Sequence, residues 1–216
     1  MRPEEAIEKG IDLESLKKEQ RKLSKSVSQK DTLNEPIQKI AGIIAETTGK
    51  DILAVVVLLD EQFNVIEKHY SLQRPKLPYI PGFRAFRELP AILDAYGKLE
   101  NEPDVIFVLG HGIAHPNGLG IASHLGISIQ KPVIGVAKSI VFGKEKENKV
   151  YNGKKIISEK LKTKECSNPV YVSIGNQICL KSAIELTKRF TREPHKMPEP
   201  IVEARKFAKE VKEEII

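Results

Sequence analysis

Two stretches of this chain hold residues suited to binding. The first reads Pro78-Tyr79-Ile80-Pro81-Gly82. Prolines fix φ and stiffen a loop. A tyrosine ring held there can stack on an exposed base, although loop packing is its plainer role. The second reads Gly110-His111-Gly112-Ile113-Ala114-His115-Pro116. Glycine lets backbone approach a ligand closely. His115 and the later Lys138 suit an anionic phosphate backbone, with a capping histidine and a solvated lysine as the plainer readings. Glu46 and Glu88 could contribute to metal chemistry. Side chains two apart on a strand share a face, so Glu46 is expected to point with Ile44. His111 would share a direction with Leu109 if the glycines around it allow. If the fold brought them together, Glu46, Glu88, His111 and Asn176 could form a metal site whose histidine would favour manganese, zinc or iron over magnesium. The competing reading makes Glu46 a solvated strand end and His111 a loop residue.

The 216 residues suit one domain, taken as 1–216 with residues 1–30 as an N-terminal helical extension. A hydrophobic share of 40 % is enough for a substantial core. No apolar run approaches the ~18 residues of a membrane span, and the start lacks the apolar core of a signal peptide. A cytoplasmic protein with no membrane partner is expected, monomeric by default. Cys166 and Cys179 make neither a disulfide framework nor a paired zinc spacing. The formal charge of +6 favours nucleic acid as a partner without singling it out.

These residues need elements to position them. In residues 4–30, Ile7, Leu13, Leu16 and Leu23 fall loosely on one helical face beside a lysine and arginine cluster. That cluster is read as a solvated face, with phosphate contact as the alternative. Residues 40–45, 52–59 and 65–70 read as three strands of an antiparallel meander. Residues 83–99 read as a helix that Pro90 should kink or break unless the helix starts later. Short strands at 105–108, 132–136 and 170–174 alternate with helices near 117–127, 180–192 and 199–214. The lysine-rich residues 143–165 read as a surface hairpin. The pattern predicts an α/β fold with a mixed sheet and helices on its faces.

The Pro78–Glu88 segment, Val108–Pro116, Gly120–His124 and Gly135–Ser139 together closely resemble the endonuclease V family, whose members cleave nucleic acid beside a deaminated base such as inosine. The resemblance runs over residues 37–205 and includes Met197-Pro198-Glu199-Pro200. It implies a ribonuclease H-like fold with a five-stranded mixed sheet and helices on both faces. It also implies DNA or RNA as partner, including inosine-containing strands, and magnesium or manganese as the cofactor of an active member. Family members carry an aspartate where Ile44 stands, another where Leu109 stands and an assisting histidine where Asn176 stands. Glu88 matches the family glutamate, and His115 and Lys138 match residues near the scissile phosphate. Pro78, Tyr79, Ile80 and Pro81 match the wedge that fills the gap left by a rotated base. Gly82, Gly110, Gly112 and Ile121 match the pocket. Arg84 departs from a position that is often apolar; it could narrow the pocket, stack on a base or bind phosphate.

One glutamate alone cannot hold a catalytic magnesium. The sequence therefore predicts a member of this family that binds inosine-containing nucleic acid with cleavage lost or impaired, and no cofactor. Its alternatives are an active nuclease with a remodelled metal site of Glu46, Glu88 and His111, and a non-catalytic interaction module. Whether the chain is an enzyme stays open at this point.

Overall fold

The computed structural model describes residues 2–215. Three strands open the sheet: β1 (Lys39–Thr48), β2 (Asp51–Asp60) and β3 (Val65–Gln73). They pair antiparallel in sequence, as the meander reading predicts. β4 (Val105–Leu109) then joins β1 in parallel, and β5 (Val133–Ala137) joins β4 in parallel.

The expected hairpin at residues 143–165 and the five-strand count are both corrected. β6 (Lys144–Lys146), β7 (Lys149–Asn152) and β8 (Lys155–Leu161) extend the sheet beside β9 (Val170–Asn176). The sheet has nine strands in the order β3-β2-β1-β4-β5-β9-β8-β7-β6. Val150 and Ile157 supply the reason, since both are buried within this lysine-rich segment. In β7 the period-two alternation turns Val150 inward and leaves Lys149 exposed.

Helices cover both faces. α3 (Arg84–Tyr96) and α4 (Ile121–Ile129) close one apolar layer with Ile43, Ala45, Val56 and Val108. α5 (Leu180–Arg189) and α6 (Glu199–Ile215) close the other with Ile44, Val55, Phe107 and Val172. Pro90 lies inside α3 without ending it. It is exposed, whereas Ala85, Glu88, Leu89, Ala91, Ile92 and Ala95 are buried, so packing against β2 holds the helix across the missing hydrogen bond. Gly42 sets the place of α6. A Cβ there would lie 1.9 Å from the Pro200 carbonyl oxygen, so only glycine lets the helix start rest on β1.

Two helices precede the sheet, α1 (Pro3–Glu8) and α2 (Leu13–Ser24). They form a small separate cluster in which Ala6, Leu13, Ile80 and Phe83 are buried. The N-terminal segment thus packs against the loop that carries Tyr79. Among the described residues no helix is long and apolar enough to cross a membrane.

Candidate nucleic-acid interface

β1, β4 and β5 run parallel or share one direction through β4, so their C-terminal ends fall at one edge of the sheet. A cleft of about 700 Å³ opens there, between the Tyr79 loop, the start of α3, the loop after β4 and the end of β5. Its walls include Glu46, Tyr79, Pro81, Gly82, Arg84, Leu109, Gly110, His111, His115, Ile121, Lys138 and Arg205. That volume suits a nucleotide-sized ligand. Most of the residues singled out by sequence therefore meet in one place.

Tyr79 is 54 % exposed at the rim. Its neighbour Ile80 is 1 % exposed and packs in the cluster under α1 and α2. Ile80 anchors the loop and offers no surface to a ligand. Pro78 is half-buried and Pro81 exposed. Gly82 has φ +84°, a left-handed conformation that glycine adopts without strain. Gln20 fixes this loop to its opposite wall. Fully buried on α2, it donates from Nε2 to the Gly82 carbonyl at 2.9 Å and accepts at Oε1 from Asn117 Nδ2 at 2.8 Å. Sequence reasoning missed Gln20, although Leu13, Leu16 and Gln20 share one stripe of a helix.

The loop after β4 is a packing device as well as a wall. A Cβ at Gly112 would lie 1.8 Å from the Ile174 carbonyl oxygen, and the Gly112 amide donates to Ser173 Oγ at 2.8 Å. Gly112 seats the loop on β9; Gly110 and His111 line the cleft. His111 has a buried Nδ1 with no hydrogen-bond partner. Burial, with His115 and Arg84 nearby, lowers its pKa to about 4, so the ring is neutral at pH 7. Burial also lowers His115, opposed by a hydrogen bond to the Gly82 backbone, and its Nδ1 accepts from the Asn117 amide at 3.3 Å. Lys138 is exposed at the mouth.

The carboxylates are already engaged. Glu88 is 5 % exposed and accepts from Arg84 Nε at 2.8 Å and 2.7 Å, one bond to each oxygen. Arg84 Nη2 donates to the Ala45 carbonyl at 3.1 Å. Glu46 does share the face of Ile44, and there it is paired with Lys212 of α6. Asn176 lies elsewhere. It pairs in register with Val133 at the start of β5, whereas the cleft residue Ala137 pairs with Tyr171. Its side chain is buried, donating to the Gly126 carbonyl and accepting from the Ser28 amide.

A divalent metal does not fit these donors. Magnesium takes several oxygen ligands in a near-octahedral shell. Ile44 is 1 % exposed among aliphatic side chains, and Leu109 presents only alkyl groups. Among the described residues no three His, Cys, Asp or Glu side chains gather as a metal-holding group. The structure does not bring Glu46, Glu88, His111 and Asn176 together.

Burial raises the pKa of Glu88, with the Arg84 charge and hydrogen bonds opposing it. A carboxyl whose folded pKa is raised favours folding most below its unfolded pKa. That contribution is lost as pH rises from about 4.3 through the folded value. Glu88→Gln should therefore look relatively more stable, against wild type, at pH 8 than at pH 4. Urea unfolding at both pH values checks this; a stability difference that does not change with pH contradicts it.

The architecture is that of a ribonuclease H-like α/β protein with a cationic cleft at one sheet edge. It matches a crystal structure of endonuclease V from Streptomyces avermitilis with a TM-score of 0.86 at 27 % identity, over 94 % of each chain. A crystal structure of Ciona intestinalis endonuclease V in complex with a 24mer DNA containing an inosine followed by a ribo-adenosine shares the fold. There the TM-score is 0.83 at 20 % identity, covering 94 % of this chain and 99 % of that one. In sequence, the endonuclease V of Thermosipho melanesiensis is 39 % identical over 216 residues, 96 % of this chain and 92 % of the relative. The family profile described as Endonuclease V matches residues 21–206. The chain belongs to the endonuclease V family.

Proposed function

We propose that this chain binds inosine-containing nucleic acid in the cleft and cleaves it weakly or not at all. One observation carries the second half. The one carboxylate at a family ligand position, Glu88, is held in a two-bond pair by Arg84, while Ile44 and Leu109 offer no lone pair at the other two. The first half is supported by the rim tyrosine, the glycine-walled cleft, and the cations Lys138 and Arg205 on its walls. Inosine is brought to this chain from the ligand bound to the Ciona protein.

In this reading the chain's own residues bind and orient. The Tyr79 ring fills the gap left when a base rotates out of the stack. The base enters beside Gly82, Gly110 and Ile121. Lys138 and His115 lie along the phosphate backbone, where contacts position the strand without reading its sequence.

Binding titrations with matched inosine and control duplexes at several salt concentrations test this. Tyr79→Ala removes a stacking surface worth roughly 1–3 kcal/mol. It should weaken the inosine duplex more than the control, because only the rotated state leaves a gap. Lys138→Ala should weaken both equally and reduce the salt slope by about one. Equal losses for Tyr79→Ala on both duplexes sink the wedge role. No salt-dependent binding by wild type sinks the nucleic-acid reading and leaves an interaction module. Robust nicking with magnesium, manganese or zinc would favour the remodelled-site alternative.

A further inference from the structure

We propose that the Arg84 guanidinium is the resident cation of this cleft, contacting a phosphodiester oxygen from the place that a divalent metal would take and thereby excluding the metal. This rests on the nucleic-acid reading above and deepens it.

Three elements converge on the guanidinium. Its Nε grips both oxygens of Glu88 on α3. Its Nη2 reaches the carbonyl of Ala45 on β1, the residue after Ile44. Its Nη1 lies 3.7 Å from where a Cβ on Gly110 would stand, just past the Leu109 end of β4. Ile44, Glu88 and Leu109 are the three positions where the family resemblance expects metal-binding carboxylates. A planar cation thus holds the Glu88 position and lies beside the residues that follow the other two, Ala45 and Gly110, and only Glu88 of the three still carries a charge.

The remaining donors make this a receptor for an anion. Arg84 Nε and Nη2 are used within the protein, while Nη1 faces the cleft wall without a hydrogen-bond partner among the described residues. A guanidinium suits phosphate because its donors lie in one plane with fixed spacing, and it stays charged at every working pH. Glu88 is compensated by Arg84 and Glu46 by Lys212. Lys138 and Arg205 line the same cleft and make no ion pair among the described residues, and the Arg205 Nε is buried without a partner. The side chains alone therefore give the cleft excess positive charge. A phosphodiester placed there meets cations fixed by the fold. A metal ion would have to displace Arg84 from Glu88 and would then find alkyl groups at residues 44 and 109.

Two measurements on the full chain test the proposal. The first titrates an inosine-containing oligonucleotide into wild type, Arg84→Lys and Arg84→Gln, in excess EDTA and in excess magnesium. Wild-type affinity should agree within about twofold between the two conditions. Arg84→Gln should bind at least about tenfold more weakly, with a salt slope smaller by about one. Arg84→Lys, which keeps the charge but loses the fork that reaches Glu88, Ala45 and the phosphate at once, should bind more weakly than wild type and more tightly than Arg84→Gln. An Arg84→Gln curve that overlies wild type in affinity and slope overturns the phosphate contact while leaving the nucleic-acid reading standing. A wild-type affinity that rises more than tenfold with magnesium overturns it too. Binding of no oligonucleotide by wild type would end both.

The second measurement needs no nucleic acid: paramagnetic titration of manganese into the same proteins. Wild type should bind no manganese that Glu88→Gln abolishes. Leu109→Asp, where the cleft admits a carboxylate, should also bind none while Arg84 is present, and Leu109→Asp/Arg84→Leu should introduce one bound ion. Manganese bound to wild type and lost in Glu88→Gln overturns the exclusion of metal, whatever the oligonucleotides show.

Discussion

Ile44→Asp should destabilise the chain by about 4 kcal/mol or more, because that position is now core. Ile44 is 1 % exposed and belongs to the layer with Leu53, Val55 and Phe107 beneath α6. Removing most of a buried isoleucine costs ~2–5 kcal/mol. The new carboxyl must also be desolvated or protonated. Lys212 lies on the same face and could pair with it, but Glu46 already holds that ammonium. The penalty should depend on pH with a definite sign. Burial raises the folded pKa of the introduced aspartate, so stability is greatest below its unfolded value, ~3.9, and falls as pH rises through the folded value. Leu109→Asp should be milder, about 1–2 kcal/mol. Leu109 is only partly buried and faces the cleft, where water can reach a carboxylate. Urea unfolding of the two single variants at pH 5 and pH 8 compares them directly. Equal costs, or an Ile44→Asp loss below about 1 kcal/mol, would show that residue 44 still faces an open site. The asymmetry gives a reason why carboxylates cannot simply be put back: one position has been absorbed into the packing.

How much of this was legible in the sequence depended on the kind of interaction. The meander was readable because β2 is an unbroken run, Ile52 to Leu59, whose side chains are all buried. β6, β7 and β8 were not, because lysines outnumber their few inward residues and composition masked the alternation. The Arg84–Glu88 pair follows from a spacing of four on a helix. The same guanidinium reaching the Ala45 carbonyl is a contact across 39 positions, which no local pattern encodes. Glu46 sharing a face with Ile44 was a sound inference from strand geometry, but its partner Lys212 is 166 positions away. Asn176 shows the limit of matching motifs. It closes the run Ser173-Ile174-Gly175-Asn176, and the end of β9 on which it falls is fixed by the β5 register. Arg205 lay in a helix that was predicted, without any sign that its side chain bounds the cleft. Local chemistry was visible in sequence, but the pairings that decide what the cleft can hold were long-range.

Acidification should remove stability through His124, on the order of 3 kcal/mol between pH 6.5 and pH 4. His124 sits in α4 at 8 % exposure, with its ring edge-on to Phe86 at a centroid distance of 5.2 Å. Its Nδ1 is buried without a hydrogen-bond partner. Burial therefore holds the pKa down at about 4, against an ordinary value of 6.5. The folded state keeps the ring neutral, whereas the unfolded chain binds a proton first as pH falls. Stability from this group is complete above about pH 6.5 and declines until the folded pKa is reached, at about 1.4 kcal/mol per pH unit. His111, also near 4, adds in the same direction. Glu88 acts oppositely, since its raised pKa makes the folded state easier to keep as it protonates. His124→Phe separates these contributions. It keeps an aromatic ring against Phe86, removes the titrating group and removes the unpartnered nitrogen. Its unfolding free energy, followed from pH 7 to pH 4, should fall less steeply than wild type by about 3 kcal/mol over the window. Parallel curves would mean that His124 is protonated or solvated in the fold, and that α4 packs less tightly against α3 than the Phe86 contact requires.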